Sequence, residues 1–246
     1  MACELPFAQS SPTPVWSIEW QDTPDRLKAL HQGLGMPAHL SKAPAIKLET
    51  DFDVNRYFTV LNHLSMESGY QLDYAYNFSS IGGLPILYGR STGTAPYQTY
   101  NDYARAEPGQ EITSYLEKIR TDGTPEGYYQ LAVLAQLGSQ FYLYWHAANN
   151  DTQIVADRAT LEKLINDLKA PKSGYPLTAD QAAKARTIDP QPQIEFGSEN
   201  VTVRYVTFTK WGGFRRSSFV FHKEFPHRIV DRKTETLVEY QCGIVF

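Results

Sequence analysis

The sequence predicts an α+β fold, in which antiparallel sheet packs against helices on one face. Helical periodicity and alternation of apolar with polar residues occur in separate segments of the chain. Two segments, 53–90 and 125–158, each read as helix, strand, turn and strand. From about residue 194 onward almost every segment reads as strand. We therefore expect antiparallel hairpins between helices, followed by a C-terminal third that is mostly β-structure.

The N-terminal region predicts an arm, a short strand and a helix. Residues 1–14 are polar and rich in proline, as in a flexible arm. The segment VWSIEW alternates apolar and polar residues in the manner of a strand. Thr23 and Pro24 are typical of a helix start, and Gly33 of a helix end.

The segment 53–90 predicts a helix followed by a hairpin. Five apolar residues after Asp53 fall on one helical face: Val54, Tyr57, Phe58, Leu61 and Leu64. The segment QLDYAYNF alternates strictly, so one face of the strand carries Leu72, Tyr74, Tyr76 and Phe78, and the other carries Gln71, Asp73, Ala75 and Asn77. SSIGG then turns the chain, and LPILYGR returns as the second strand.

The middle of the chain predicts further helices and strands. After a loop at 91–109, a helix is expected from about residue 110 to 120. Thr124 opens a helix that is apolar almost all round, which indicates a central, buried position, and Gly138 ends it. QFYLYWHA and TQIVAD then read as strands, and a helix follows with its apolar face at Leu161, Leu164, Ile165 and Leu168.

The recurring order of elements suggests a degenerate αββ repeat with an offset near 70 residues. A third unit would begin at the capping box of Thr178 and Gln181 and continue into strands at about 200–210 and 214–222. We expect a single domain at 15–246 after the arm. The alternative is a boundary within the Pro-containing segment 171–192, which would leave parts at 15–170 and 190–246.

Composition excludes several classes of protein. The 246 residues are 42% hydrophobic and 20% charged, which is typical of a packed globular chain. Cys3 and Cys242 form no CxxC or zinc-type pattern, so neither a metal site nor a disulfide scaffold is predicted. No motif predicts a cofactor. No signal-peptide core and no apolar run of ~20 residues is visible, which favours the cytoplasm; a secreted chain or a lipoprotein anchored near Cys3 is the alternative.

A basic hairpin near the C-terminus predicts a binding surface. If Gly212 and Gly213 form a two-residue turn, Trp211 pairs with Phe214, and Lys210 faces Arg215. From residue 201 onward there are eight Lys and Arg against four Asp and Glu, while the first 200 residues carry a net charge of −8. The residues predicted to contact a ligand are Arg204, Lys210, Trp211, Arg215 and Arg216.

These residues suggest a non-catalytic module that binds an anionic ligand or an acidic protein. The other interpretation is internal, because acidic helices could neutralise the basic sheet. Nucleic acid is disfavoured as a partner, since the net charge is −4 and no known nucleic-acid-binding pattern occurs.

A hydrolase-type enzyme is the alternative function. His146 at a predicted strand end is the first catalytic candidate, with Asp151 or Asp73 as its acidic neighbour. Two further arrangements are weaker. His63 and Glu67 are spaced for one helical face, and Cys242 could act with His222 or His227 as base. The enzyme hypothesis requires that such groups converge in one concave site.

Overall fold

The computed structural model describes residues 19–149, 152–171 and 174–243. The α-helices are α1 Asp22–His31, α2 Tyr100–Ala106, α3 Pro125–Leu137, α4 His146–Asn149, α5 Arg158–Lys169 and α6 Ala179–Arg186. The strands are β1 Leu64–Met66, β2 Tyr70–Ser79, β3 Gly82–Ser91, β4 Ile119–Thr121, β5 Tyr144–Trp145, β6 Gln153–Val155, β7 Gln193–Phe196, β8 Asn200–Thr209, β9 Gly213–His222 and β10 Ile229–Val238. The α+β class and the β-rich C-terminal third are confirmed. The predicted arm at 1–14 lies outside the described residues.

The strands β2 and β3 form an antiparallel hairpin, which β5 extends to a three-stranded sheet. The predicted alternation of β2 is confirmed. One face, with Leu72, Tyr74 and Tyr76, enters the main hydrophobic core. The opposite face lies partly under α2, where Ala75 belongs to a separate cluster with Tyr103. This opposite face also carries the polar residues of β2.

The strands β10, β9, β8 and β6 form the larger sheet, and β7 also pairs with β8. Its two faces pack against different helices. Val203 and Tyr205 belong to the core that contains α3, whereas Val206 and Phe208 belong to the core formed with α5 and α6. Because neighbouring strand residues point to opposite faces, helices cover both faces of this sheet rather than one.

The αββ repeat is absent at 125–158. The two strands expected to form the second hairpin pair elsewhere, β5 with β3 and β6 with β8. The expected first strand does not continue as extended backbone. Tyr142 and Trp145 adopt positive φ angles of 48° and 46°, and α4 follows directly. Bulky residues rarely adopt this conformation, and it ends an extended strand. Strand β6 therefore joins the C-terminal strands across the alternative domain boundary.

Two predicted helices are shorter and of a different type. A 3₁₀ helix spans Val54–Thr59, and another spans Ser114–Lys118 before β4 begins. The first contains β-branched residues and an asparagine, which are weak helix formers. By contrast, α3 is confirmed as a buried central helix with Thr124 as its N-cap, and both Tyr128 and Tyr129 are 1% exposed. No helix in the described ranges has the length and apolarity to cross a bilayer.

The β8–β9 connection is one residue longer than predicted. Thr209 pairs with Gly213, so the loop contains Lys210, Trp211 and Gly212. Gly213 has φ +71°, which fits a type I turn followed by a left-handed residue. The predictions of a two-residue turn and of a Lys210–Arg215 pair are therefore wrong. Arg215 instead lies opposite Thr207, which removes the like-charge pair that the sequence suggested.

Candidate functional site

The candidate catalytic residues do not converge among the described residues. His146 begins α4 and lies beside Gly82, at the start of β3. Asp73 lies opposite Tyr88, six residues farther along β3, which corresponds to roughly 20 Å of extended strand. Asp151 lies outside the described residues. Direct proton transfer between His146 and Asp73 is excluded by this separation.

The Cys242 arrangement is also separated. Cys242 is buried, and its backbone N–H donates to the Lys210 carbonyl at the β8–β9 loop. His222 ends β9, at the opposite end of the ten-residue strand, about 30 Å away at ~3.3 Å per residue. His227 accepts from the Thr121 N–H and contacts Tyr128, so it belongs to the region around α3. Neither histidine can activate the Cys242 thiol.

His63 and Glu67 have different partners, because the helix expected to carry them is absent. His63 Nδ1 bonds Asp122 Oδ2 at 2.6 Å, and Glu67 forms an ion pair with Lys118. Partial burial raises the pKa of Asp122, but hydrogen bonds from Thr124 and His63 outweigh it, and the pKa lies below its ordinary value. This histidine–carboxylate pair has a structural role, because it connects the residue before β1 to the residue after β4.

The five residues predicted to bind an anion do not share one surface. Arg215 and Arg216 are consecutive strand residues and point to opposite faces of the sheet. Arg204 shares the face of Arg216 and forms an ion pair of 2.6 Å with Glu195. Of these five residues, Trp211 and Arg215 line a common shallow depression near α6.

Acidic neighbours compensate part of the basic sheet. Besides the Arg204–Glu195 pair, Arg216 lies opposite Glu235 on β10, and Lys233 pairs with Asp231 at 2.8 Å. Cross-strand pairs of opposite charge stabilise a sheet by a few tenths of a kcal/mol, roughly up to 1 kcal/mol. The excess of positive charge in the C-terminal sequence is thus distributed over both faces and partly neutralised.

A cleft of about 760 Å³ opens over the polar face of the β2–β3 hairpin. One wall is the loop and 3₁₀ segment 47–55, and the other is the loop 95–98. The two walls are connected by a hydrogen bond of 2.8 Å from the Lys47 N–H to the Gln98 carbonyl. Clefts of several hundred Å³ are the usual size for small-molecule sites.

The floor of the cleft is formed by Lys47, Asp73 and Arg90, three charged side chains that are largely withdrawn from water. The Asp73 carboxylate is 4% exposed and receives hydrogen bonds from Lys47 Nζ and from Arg90 Nε, the latter at 2.6 Å. It also accepts from the Tyr74 N–H at 2.8 Å. Two positive charges therefore share one buried negative charge, so the floor has a net charge of +1.

Local structure explains why these side chains meet. Asp73 belongs to the polar set of β2, and the hairpin register places Gln71 directly opposite Arg90. Arg90 also donates to the Thr94 carbonyl, which ties the floor to the loop that forms the second wall. Lys47 reaches over the Tyr74 ring, with Nζ 4.3 Å from the ring centroid. The floor is therefore held by rigid strands on one side and by a loop on the other.

The walls carry apolar and acidic groups. Phe52 is 5% exposed, and Tyr97 is held by a 2.9 Å hydrogen bond from its N–H to Tyr88 Oη. Asp51 is 4% exposed on its side chain, and both carboxylate oxygens bond His39 Nε2, at 2.9 and 3.0 Å. Burial, and secondly the charge of Glu107, raises the pKa of Tyr97, so its phenol stays neutral at physiological pH.

Sequence reasoning missed most of this site. From the sequence, Asp73 is a polar residue of β2 and an acidic neighbour of His146, and Arg90 is only the last residue of the second strand. The SSIGG turn leaves the length of the loop open, and the pairing of Gln71 with Arg90 depends on the two-residue loop at 80–81. Lys47 lies in an irregular loop after Pro44, and no local pattern indicates where its side chain points.

Comparisons of the chain with models of known protein families, with curated proteins and with solved structures found no match.

Proposed function

We propose that this protein is a non-catalytic binding protein, and that its ligand has an anionic group which binds Lys47 and Arg90 in the cleft. The observation that supports this proposal is the +1 charge of the floor, where two cations share the buried Asp73 carboxylate. Electrostatic interactions are stronger in such a partly desolvated place than at the surface. An anionic group on the ligand balances the remaining positive charge.

The cleft supports binding of an anion better than the C-terminal sheet does. Lys47 and Arg90 are 15% and 17% exposed, and both approach the same carboxylate. Arg215 and Arg216 point to opposite faces of their sheet, so one small ligand cannot use both. A hydrogen bond to a charged group contributes ~1.5–3 kcal/mol, so two cations that share one anion bind it more tightly than one cation does.

The side chains around the cleft favour binding over catalysis. The described lining contains no Ser, Thr, Cys or His, so it holds neither a Ser–His nor a Cys–His nucleophile pair. Asp73 is the most deeply placed carboxylate of the floor, and it is held by two cations and a backbone N–H. Both of its oxygens therefore already accept hydrogen bonds from groups of the protein.

The proposal is tested with Lys47→Gln, since this change removes the excess charge and leaves the Asp73–Arg90 pair balanced. Inorganic phosphate and a panel of small aliphatic and aromatic carboxylates would be screened by thermal shift, and each hit titrated by calorimetry. We expect stabilisation of the wild type and at least tenfold weaker binding by Lys47→Gln. Lys42→Gln, which removes an exposed lysine from the same loop, is the matched control and should bind as the wild type does.

Two results would contradict the proposal. One is the absence of binding by every anion in the panel at low ionic strength. The other is binding that is unchanged in Lys47→Gln but lost in Arg215→Gln. This result would place the binding site on the C-terminal sheet.

A further inference from the structure

We infer that the ligand is a zwitterion of the amino-acid class, with a carboxylate bound at the floor of the cleft and an ammonium group bound at its acidic rim. This inference rests on the proposed function, because it assigns the second charge of the same ligand. It follows from how positive and negative side chains are separated within the cleft.

The rim consists of Glu49 and Asp53, two exposed carboxylates on the wall 47–55. Asp51, between them in sequence, is already occupied by His39 and by the Leu48 N–H. No ion pair of the described structure involves Glu49 or Asp53. The cleft thus has a cationic floor and an anionic rim, which matches a ligand with both charges better than a simple anion.

The rim is connected by hydrogen bonds to the strand that carries the floor. Asn55 forms a hydrogen-bonded bridge: its Nδ2 donates to Asp53 Oδ1 at 2.8 Å and to the Leu72 carbonyl at 2.9 Å, and its Oδ1 accepts from the Leu72 N–H. Leu72 is the strand neighbour of Asp73, which forms the floor. One side-chain amide therefore separates the rim from the strand that carries the floor. We expect the ammonium and carboxylate groups of the ligand to lie on either side of this bridge.

The remaining surface of the cleft accommodates an apolar body. Leu48, Phe52, Pro96 and Tyr97 contribute apolar side chains from both walls. Leu48 is 45% exposed, so a ligand that covers it removes apolar surface from water. Removal of such surface from water favours binding and offsets part of the cost of association. An amino acid with a branched or aromatic side chain presents these three features together.

The test uses ligands that differ by one charged group. Phenylalanine, 3-phenylpropionate and phenethylamine share a ring and a chain, and leucine, 4-methylpentanoate and isoamylamine form a second set. Binding to the wild type would be measured by calorimetry at low ionic strength. We expect at least one amino acid to bind tenfold or more tightly than its carboxylate, and the two amines to bind more weakly still.

A double variant, Glu49→Gln with Asp53→Asn, separates the two charges of the site. Asparagine keeps the side-chain oxygen that accepts from Asn55, so the 3₁₀ helix retains its cap. We expect this variant to bind the amino acid no more tightly than the carboxylate, and to bind the carboxylate at least as tightly as the wild type does, because two nearby negative charges are removed. Glu235→Gln, an exposed carboxylate on β10, is the control and should change neither affinity.

The outcomes distinguish the inference from the proposed function. If carboxylates bind as tightly as the amino acids and Lys47→Gln abolishes both, the zwitterion inference is wrong and the anion site stands. If the double variant leaves the preference for the amino acid intact, the rim has been assigned wrongly. If no compound of either set binds and phosphate also fails, the proposed function is wrong as well.

Discussion

His31 links the stability of this fold to pH. Its ring lies against Phe52, Tyr57 and Phe141, with centroid distances of 5.5–5.6 Å. Tyr57 Oη donates to the Gly138 carbonyl at 2.6 Å, so the 2.8 Å contact with His31 Nε2 requires that the histidine donate. Burial lowers the pKa of His31 from 6.5 to about 4. The folded protein therefore holds the neutral ring.

The effect on stability has a definite sign and size. Because the unfolded state binds the proton more tightly than the folded state, stability falls as the pH drops below 6.5, and the loss is complete near pH 4. With these two pKa values the loss is about 2 kcal/mol at pH 5 and about 3 kcal/mol in full.

The assay compares the wild type with His31→Gln, which keeps a side-chain donor for Tyr57 and cannot titrate. Urea unfolding at intervals from pH 7.5 to 4.5 gives the free energy of unfolding for both proteins. We expect the wild type to lose about 2 kcal/mol relative to the variant between pH 7.5 and pH 5. A difference in the free energy of unfolding between the two proteins that stays constant over this range would contradict the lowered pKa of His31.

Three further predictions concern the floor, the β8–β9 loop and the Asp122 carboxylate. Asp73→Asn should lower the free energy of unfolding by about 3–5 kcal/mol in urea titrations, because it leaves two buried cations without a counter-charge. Gly213→Ala should cost more than about 1 kcal/mol, since the residue has φ +71° and a methyl group would meet the Val238 carbonyl. Asp122→Asn should destabilise the protein at pH 7, and this difference from the wild type should shrink as the pH falls below the ordinary carboxyl pKa of 3.8.

Each of these three predictions has a control variant or a result that would contradict it. Gly93→Ala controls for the glycine change, since its methyl group would meet no atom within 4 Å, and equal effects of the two changes would contradict the loop geometry. An Asp73→Asn variant as stable as the wild type would contradict the buried ion cluster. A destabilisation by Asp122→Asn that is unchanged from pH 7 to pH 3 would contradict the lowered pKa of Asp122.

The sequence predicted elements whose pattern of burial is clear from their own residues. In β2, Leu72 and Tyr74 face the main core and Gln71 and Asp73 face the cleft, so the alternation in the sequence is complete. The helix α3 was predicted because it is buried almost all round, and such a helix is apolar on every side. These patterns arise from burial and can be read without the tertiary structure.

Other features depend on choices that the local sequence leaves open. A pair of glycines permits several hairpin loops. In the folded protein the loop is Lys210, Trp211 and Gly212, and the left-handed residue is Gly213 at the start of β9. The 3₁₀ segment at 54–59 is fixed by contacts such as the Tyr57–Gly138 hydrogen bond, which joins residues 81 positions apart. The floor of the cleft likewise combines Lys47 with a distant hairpin, and only the fold reveals that they meet.

The most direct test of the central claim is a crystal structure of the protein with the tightest ligand found in the screens. We expect electron density in the cleft, with an anionic group of the ligand within hydrogen-bonding distance, about 3 Å, of Lys47 Nζ or the Arg90 guanidinium. A ligand bound at the β8–β9 loop instead, or one in the cleft with its anionic group turned away from both cations, would contradict this claim.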